Sequence, residues 1–146
     1  KTTNNINNIE FVLIDAINEK YTEKIKLRFS LVFIFALFQY IVSDENVLKV
    51  LKQIYNLMEP KSKCLIKQTS SLNNCNIFID KYSEILKSHY IANYRTIEVM
   101  LNIIESAGFE TITVQEAYNK ENMGEKYKLV EPWDNTRQYY FKLLKS

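Results

Sequence analysis

Phe29-Ser30-Leu31-Val32-Phe33-Ile34-Phe35-Ala36-Leu37-Phe38-Gln39-Tyr40-Ile41 is the stretch whose reading decides the fold. Residues 29–36 are almost all aromatic, β-branched or otherwise apolar, the composition of a strand. Polar residues do not alternate with apolar ones there, so the strand is expected at the centre of a parallel sheet, with both its faces covered. The apolar stretch that continues from Leu31 to Val42 is broken by Gln39 and is too short for a bilayer crossing, which needs about 20 residues. Gln39 and Tyr40 bring polar groups into an apolar run, and such groups need hydrogen-bond partners, supplied either by the fold or by a ligand.

Working outward, residues 9–14 form a second short apolar run that ends at Asp15, and they are read as a strand buried on both faces. Residues 16–28 carry mixed charge and are read as a loop or short helix. Downstream, Ser43-Asp44-Glu45 opens a helix, with a capping side chain and two acids at its positive end. Val47, Leu48, Val50, Leu51, Ile54, Tyr55, Leu57 and Met58 follow at helical spacing, and Pro60 is expected to stop the helix. Residues 64–68 read as a strand and Asn73-Asn74 as a turn. Residues 81–92 show a weak helical period through Tyr82, Ile85, Leu86 and His89. Thr96 caps another helix, with Gly108 at its end where a left-handed residue is wanted. Residues 110–116 and 138–144 read as strands separated by a polar stretch, residues 118–136.

The order β, β, α, β, (α), α, β, loop, β implies an α/β domain whose mostly parallel sheet is covered on both faces and ends in an antiparallel strand pair. The 146 residues suit one domain. Apolar content of 47% and charged content of 25% are those of ordinary globular proteins, and a net charge of +2 offers no strong pull toward nucleic acid or an anionic membrane. Cys64 and Cys75 form no Cys-x-x-Cys pair and His89 is the only histidine, so no metal site is expected. The thiols are read as free, in a cytoplasmic, reducing compartment. Ser-His-Asp hydrolysis is excluded for want of a Gly-x-Ser-x-Gly elbow.

Three local patterns carry a family resemblance. The first is the stretch from Phe29 to Ile41. The second is the helix running to Leu57-Met58-Glu59-Pro60, followed by Lys63-Cys64-Leu65-Ile66-Lys67. The third is Tyr94-Arg95-Thr96-Ile97-Glu98, with its helix closing in Ala107-Gly108-Phe109. In order and spacing they resemble the class I S-adenosylmethionine-dependent methyltransferases from their third strand onward, and they cover residues 6–144. That family has the strand order 3-2-1-4-5-7-6. The resemblance therefore implies a Rossmann-like sheet and S-adenosylmethionine as the cofactor of the complete domain. It also implies methyl transfer to a nitrogen or oxygen nucleophile on a small-molecule or protein substrate. A non-catalytic α/β interaction module derived from such an enzyme is the alternative.

The departures bear on activity. Only Gly108 and Gly124 are glycines, against an average usage of about 7%, and the glycine-rich turn that lets backbone approach the cofactor is missing. Ser30 stands where relatives commonly have Asp, and Lys61-Ser62 where they have Gly-Gly. The first residue is Lys1, and the chain is read as part of a longer domain that binds the cofactor poorly alone. The resemblance implies cofactor contacts at Asp15-Ala16, on the adenine side, and at Phe35, Ala36, Gln39 and Tyr40, beside the methionine part. Each has a plain alternative: a solvated carboxylate for Asp15, core packing for the aromatic residues. It places His89, Tyr90, Tyr94 and Arg95 on the substrate side, where Arg95 reads as a structural salt bridge ahead of a substrate contact. Without the family's first two strands the 29–36 strand would have an open edge, filled either by residues 9–14 or by a second copy in a homodimer.

Overall fold

A computed structural model describes residues 9–84, 87–118 and 135–146. Strand β1 (Phe29–Phe35) leads through a 3-10 turn (Phe38–Tyr40) into helix α2 (Asp44–Leu57), which returns the chain to β2 (Met58–Ser71), parallel to β1. Ser43 Oγ accepts the Asn46 amide at 3.3 Å, the expected N-cap. A short helix α1 (Tyr21–Lys24) precedes β1 and packs on α2. Helix α3 (Ile97–Ser106) is capped by Thr96 Oγ1, which accepts the Val99 amide at 3.1 Å. Strands β5 (Phe109–Glu116) and β6 (Thr136–Lys145) are antiparallel to each other.

The sheet order is β1-β2-β6-β5, the 4-5-7-6 order that the resemblance implies. β6 opposes both β2 and β5, so three of the four strands run one way. The register Ile34↔Ile66↔Phe141 and Val32↔Cys64↔Leu143 puts these side chains on one face. There they form the core with Val47, Val50 and Leu51 of α2 and Met100 and Ile104 of α3. Burial pushes the Cys64 thiol up to about 12, so it is an inert core residue. Gly108 has φ +99°, and a Cβ there would make ordinary contact with the Tyr55 ring at 3.4 Å, so it is the backbone conformation that favours glycine.

Several expectations are corrected. Residues 9–14 form no strand; Phe11 and Leu13 are each 93% exposed. Their apolar run suits a strand, but no sheet edge is beside it, and a strand without a ladder partner is not formed. The strand at residues 29–36 lies at the edge of the sheet rather than its centre, and its outer face is open: Leu31, Phe33 and Phe35 are 50%, 56% and 57% exposed. Coverage of both faces is therefore not found among the described residues. Among the described residues, 81–84 and 87–92 are not helical. Strands β3 (Ile77–Ser83) and β4 (Ser88–Tyr94) form an antiparallel hairpin, with Ile85 and Leu86 outside the described residues. The β-branched and aromatic content of Ile77-Phe78-Ile79 and Tyr90-Ile91 favours the hairpin over the weak 3.6 period. Pro60 does not end α2. The helix stops at Leu57, and Pro60 sits in a register shift of β2, where a missing N–H is tolerated. Most of the stretch 118–136 lies outside the described residues.

Arg95 ties these pieces together. Its side chain is 1% exposed, and Nε donates to Asp44 Oδ1 at 2.6 Å. Nη1 donates to the Phe38 carbonyl at 2.9 Å, and Nη2 to those of Ile41 and Val42 at 2.8 and 2.9 Å. One guanidinium thus binds the 3-10 turn, the start of α2 and the junction of β4 with α3. Arg95→Met breaks the ion pair with Asp44 and takes one donor from each of three carbonyls, and urea denaturation should show a loss of about 3 kcal/mol. Arg95→Lys should recover little of it, since an ammonium cannot reproduce the fork.

Candidate functional site

β1 ends in a backbone turn of low intrinsic preference. Ala36 has φ 54°, in the left-handed region, and its amide donates to the Lys67 carbonyl at 2.8 Å. The chain then enters the 3-10 turn, anchored by fully buried Phe38, which holds Gln39 at 8% exposure. β2 continues past the end of β1, carrying Gln68 and Thr69 beyond it. The antiparallel register brings Tyr140 opposite Lys67 and Gln138 opposite Thr69. Between these parts lies a cleft of about 210 Å³, at the C-terminal end of β1.

The cleft is polar in an unusual way. Gln39, Gln68 and Gln138 all line it, and each has a buried side-chain carbonyl oxygen that accepts no hydrogen bond. Phe35 and Tyr140 supply aromatic walls. The Lys67 ammonium donates to Tyr118 Oη at 2.6 Å and lies 4.5 Å from the Tyr118 ring centre and 5.8 Å from that of Tyr140.

Phe35, Ala36 and Gln39 therefore line one cleft, whereas the other candidates are distributed elsewhere. Asp15 caps its own turn: Oδ1 accepts the Ile17 and Asn18 amides at 2.9 Å each, and Oδ2 accepts Asn18 Nδ2 at 3.0 Å. The Asn18 and Ile17 amides hold its carboxyl below the usual carboxylate range. The Ala16 carbonyl accepts the Tyr21 hydroxyl at 2.9 Å. Neither residue lines the cleft. Tyr40 turns to the hairpin, its ring edge-on to Tyr90 at 6.0 Å, and the Tyr90 and Tyr94 hydroxyls share a hydrogen bond of 2.7 Å. His89 Nδ1 is 3.1 Å from Asp80 Oδ1 on the exposed side of the hairpin. Arg95 is the structural ion pair described above.

Sequence reasoning missed Lys67, Gln68, Thr69, Gln138 and Tyr140. Gln68 and Thr69 follow a buried strand without a break, a detectable signal of polar groups carried into the interior. Gln138 and Tyr140 join them only through the β2–β6 register. Among the described residues no group of three His, Cys, Asp or Glu side chains could hold a metal ion, and no helix is long and apolar enough to cross a membrane.

The same fold occurs in solved S-adenosylmethionine-dependent methyltransferases. One from Listeria monocytogenes is 11% identical, with TM-score 0.61 over 82% of this chain and 62% of its own. One from Methanosarcina mazei is 10% identical, with TM-score 0.63 over 93% and 66%. The glycopeptide N-methyltransferase MtfA, in complex with S-adenosylmethionine, is 9% identical, with TM-score 0.63 over 92% and 64%. No protein-family model and no curated protein sequence matches. The chain thus has the class I methyltransferase fold, and it spans about two thirds of the length of these structures.

The tyrosine pair gives this region a pH signature. Burial, and for Tyr90 the Tyr94 hydroxyl, push both phenols above the ordinary value of about 10. A raised folded-state value means the stabilisation is complete below pH of about 10 and declines as pH rises beyond it. Absorbance titration should show late-ionising phenols, one fewer of them in Tyr90→Phe, and alkaline unfolding should begin above that pH.

Proposed function

We propose that these residues form the acceptor-facing part of a methyltransferase domain that moves a methyl group from S-adenosylmethionine to a nitrogen or oxygen nucleophile. The carrying observation is the cleft at the end of β1, which gathers Phe35, Ala36 and Gln39 from a stretch that resembles the family's cofactor-side turn. Two of the similar structures are enzymes that methylate nitrogen: a glycopeptide N-methyltransferase and a didemethyltoxoflavin N1-methyltransferase from Burkholderia thailandensis.

The residues present fit one side of the cofactor. The unpartnered Gln39 carbonyl suits an ammonium donor such as that of its amino-acid part, and the turned Ala36 backbone leaves room beside it. The glycine cradle for the rest has no counterpart here. When bound, S-adenosylmethionine supplies a sulfonium methyl already activated for in-line displacement, so the protein's task is alignment and exclusion of water. Phe35 and Tyr140 shield the acceptor from solvent, and Gln39 fixes the geometry beside it. A non-catalytic module has no observation of its own in its favour, since the open edge of β1 serves both readings.

NMR titration with S-adenosylhomocysteine tests this. Saturable shifts at the Phe35, Ala36 and Gln39 amides are expected, with a weak affinity of about millimolar because the cradle is missing. No shift at those amides at saturating concentration would overturn the reading.

We further propose that the edge of β1 is covered in the working protein. The Ala36 amide is bonded to β2, so by the alternation of a parallel ladder the amides of Leu31, Phe33 and Phe35 face outward. Their side chains add an uncovered apolar face. Such an edge pairs with a strand that reaches it, either those carrying the cofactor cradle or a second copy. For the chain by itself the homodimer is the expected outcome, read by light scattering as a mass that doubles across a concentration series. A stable monomer with fast hydrogen exchange at these amides would leave the edge to the cradle strands.

A further inference from the structure

The glutamines deeper in the cleft specify a ligand more narrowly than methyl transfer does. Gln68 is 3% exposed, and its side-chain carbonyl oxygen accepts nothing. Gln138, on the neighbouring strand opposite Thr69, has a second buried carbonyl oxygen in the same state. A buried acceptor without a donor is costly, and two beside one cleft are a standing demand for N–H donors. From the geometry we infer that this part of the cleft binds an uncharged, planar group bearing N–H donors, of the class of an amino-substituted heteroaromatic ring.

Each part of that description follows from a different feature. The two carbonyl dipoles repel a carboxylate or phosphate. The Lys67 ammonium on the cleft wall repels a cation, and it is already engaged by the Tyr118 hydroxyl and by two aromatic rings. The Phe35 and Tyr140 rings favour a flat, π-faced ligand over an aliphatic one. The volume of about 210 Å³ holds a ring system and not an extended chain. This inference names the acceptor class of the proposed methyl transfer and rests on that reading for its biological sense, though not for the binding itself.

The probe is 2-aminopyrimidine, uncharged at neutral pH, titrated into the 146-residue chain with no methyl donor present. Saturable shifts at the Phe35, Thr69 and Tyr140 amides are expected, at about millimolar affinity as befits so small a ligand. Benzoate and benzylammonium should bind at least tenfold more weakly. Gln138→Leu should weaken 2-aminopyrimidine at least tenfold with its melting temperature kept or raised, since an apolar side chain replaces an unpartnered polar one. Gln68→Leu, more deeply buried, should do the same. Equal or tighter binding of either charged probe, shifts confined to another surface, or unchanged affinity in folded Gln138→Leu would overturn the inference. Because no methyl donor is present, such a failure leaves the methyl-transfer reading standing, and failure of the S-adenosylhomocysteine titration leaves this binding result standing.

Discussion

The Arg95 guanidinium is the point at which otherwise separate parts of the molecule are held in register. It reaches from the junction of β4 and α3 across more than fifty residues of sequence to Asp44 and to the carbonyls of Phe38, Ile41 and Val42. These carbonyls belong to the irregular backbone between β1 and α2, where the Ile41 amide also reaches the Phe38 carbonyl at 3.3 Å and Asn93 Nδ2 the Val42 carbonyl at 2.9 Å. A buried charge is costly unless it is well paired and hydrogen-bonded, and here four of the five guanidinium N–H groups find an oxygen. The consequence runs to the cleft: the 3-10 turn that carries Gln39 is fixed by the same carbonyl contacts, so cleft geometry and hairpin position are set together.

The sheet has two unlike faces. The face toward α2 and α3 is built from Ile34, Cys64, Ile66, Phe141 and Leu143 and is closed. On the other, Leu31, Phe33 and Phe35 stand beside Lys63, Leu65 and Lys67, with no described helix over them. An apolar strip of that kind on an edge strand has both its backbone and its side chains unsatisfied. The chain covers 62% and 66% of two of the similar solved structures, which are longer than it.

Much of this was legible before any coordinates, where a local signal had a single physical meaning. The Ser43 and Thr96 caps, the apolar stripe of α2 and the helix end at Gly108 depend on residues within a few positions of one another, and each is found as read. Readings that needed a partner elsewhere were weaker. The runs at residues 9–14 and 29–36 both look like buried strands, yet only the second has a neighbour to pair with. The hairpin was obscured because Tyr82, Ile85, Leu86 and His89 happen to fall at helical spacing. Turns made without glycine left no mark at all: Ala36, Lys61 and Lys87 all adopt positive φ. Lys61 is instructive, since it stands where relatives have glycine and keeps a backbone conformation glycine would favour.

The cleft shows the same division in one place. Gln39 could be singled out in the sequence because it interrupts an apolar run, and a polar group there must be answered by something. Gln68 ends a run whose interior character was equally visible. Gln138 could not be recognised, because nothing around it in the chain is unusual; it becomes significant only when β6 lies antiparallel to β2 with Gln138 across from Thr69. Long-range register thus converts ordinary strand residues into a site. Three amide carbonyls without donors are also a poor choice for stability alone, since apolar side chains of similar size would fill the same space without the desolvation cost. Polar groups held at that cost beside an accessible cleft are better accounted for by what enters the cleft than by the fold that surrounds it.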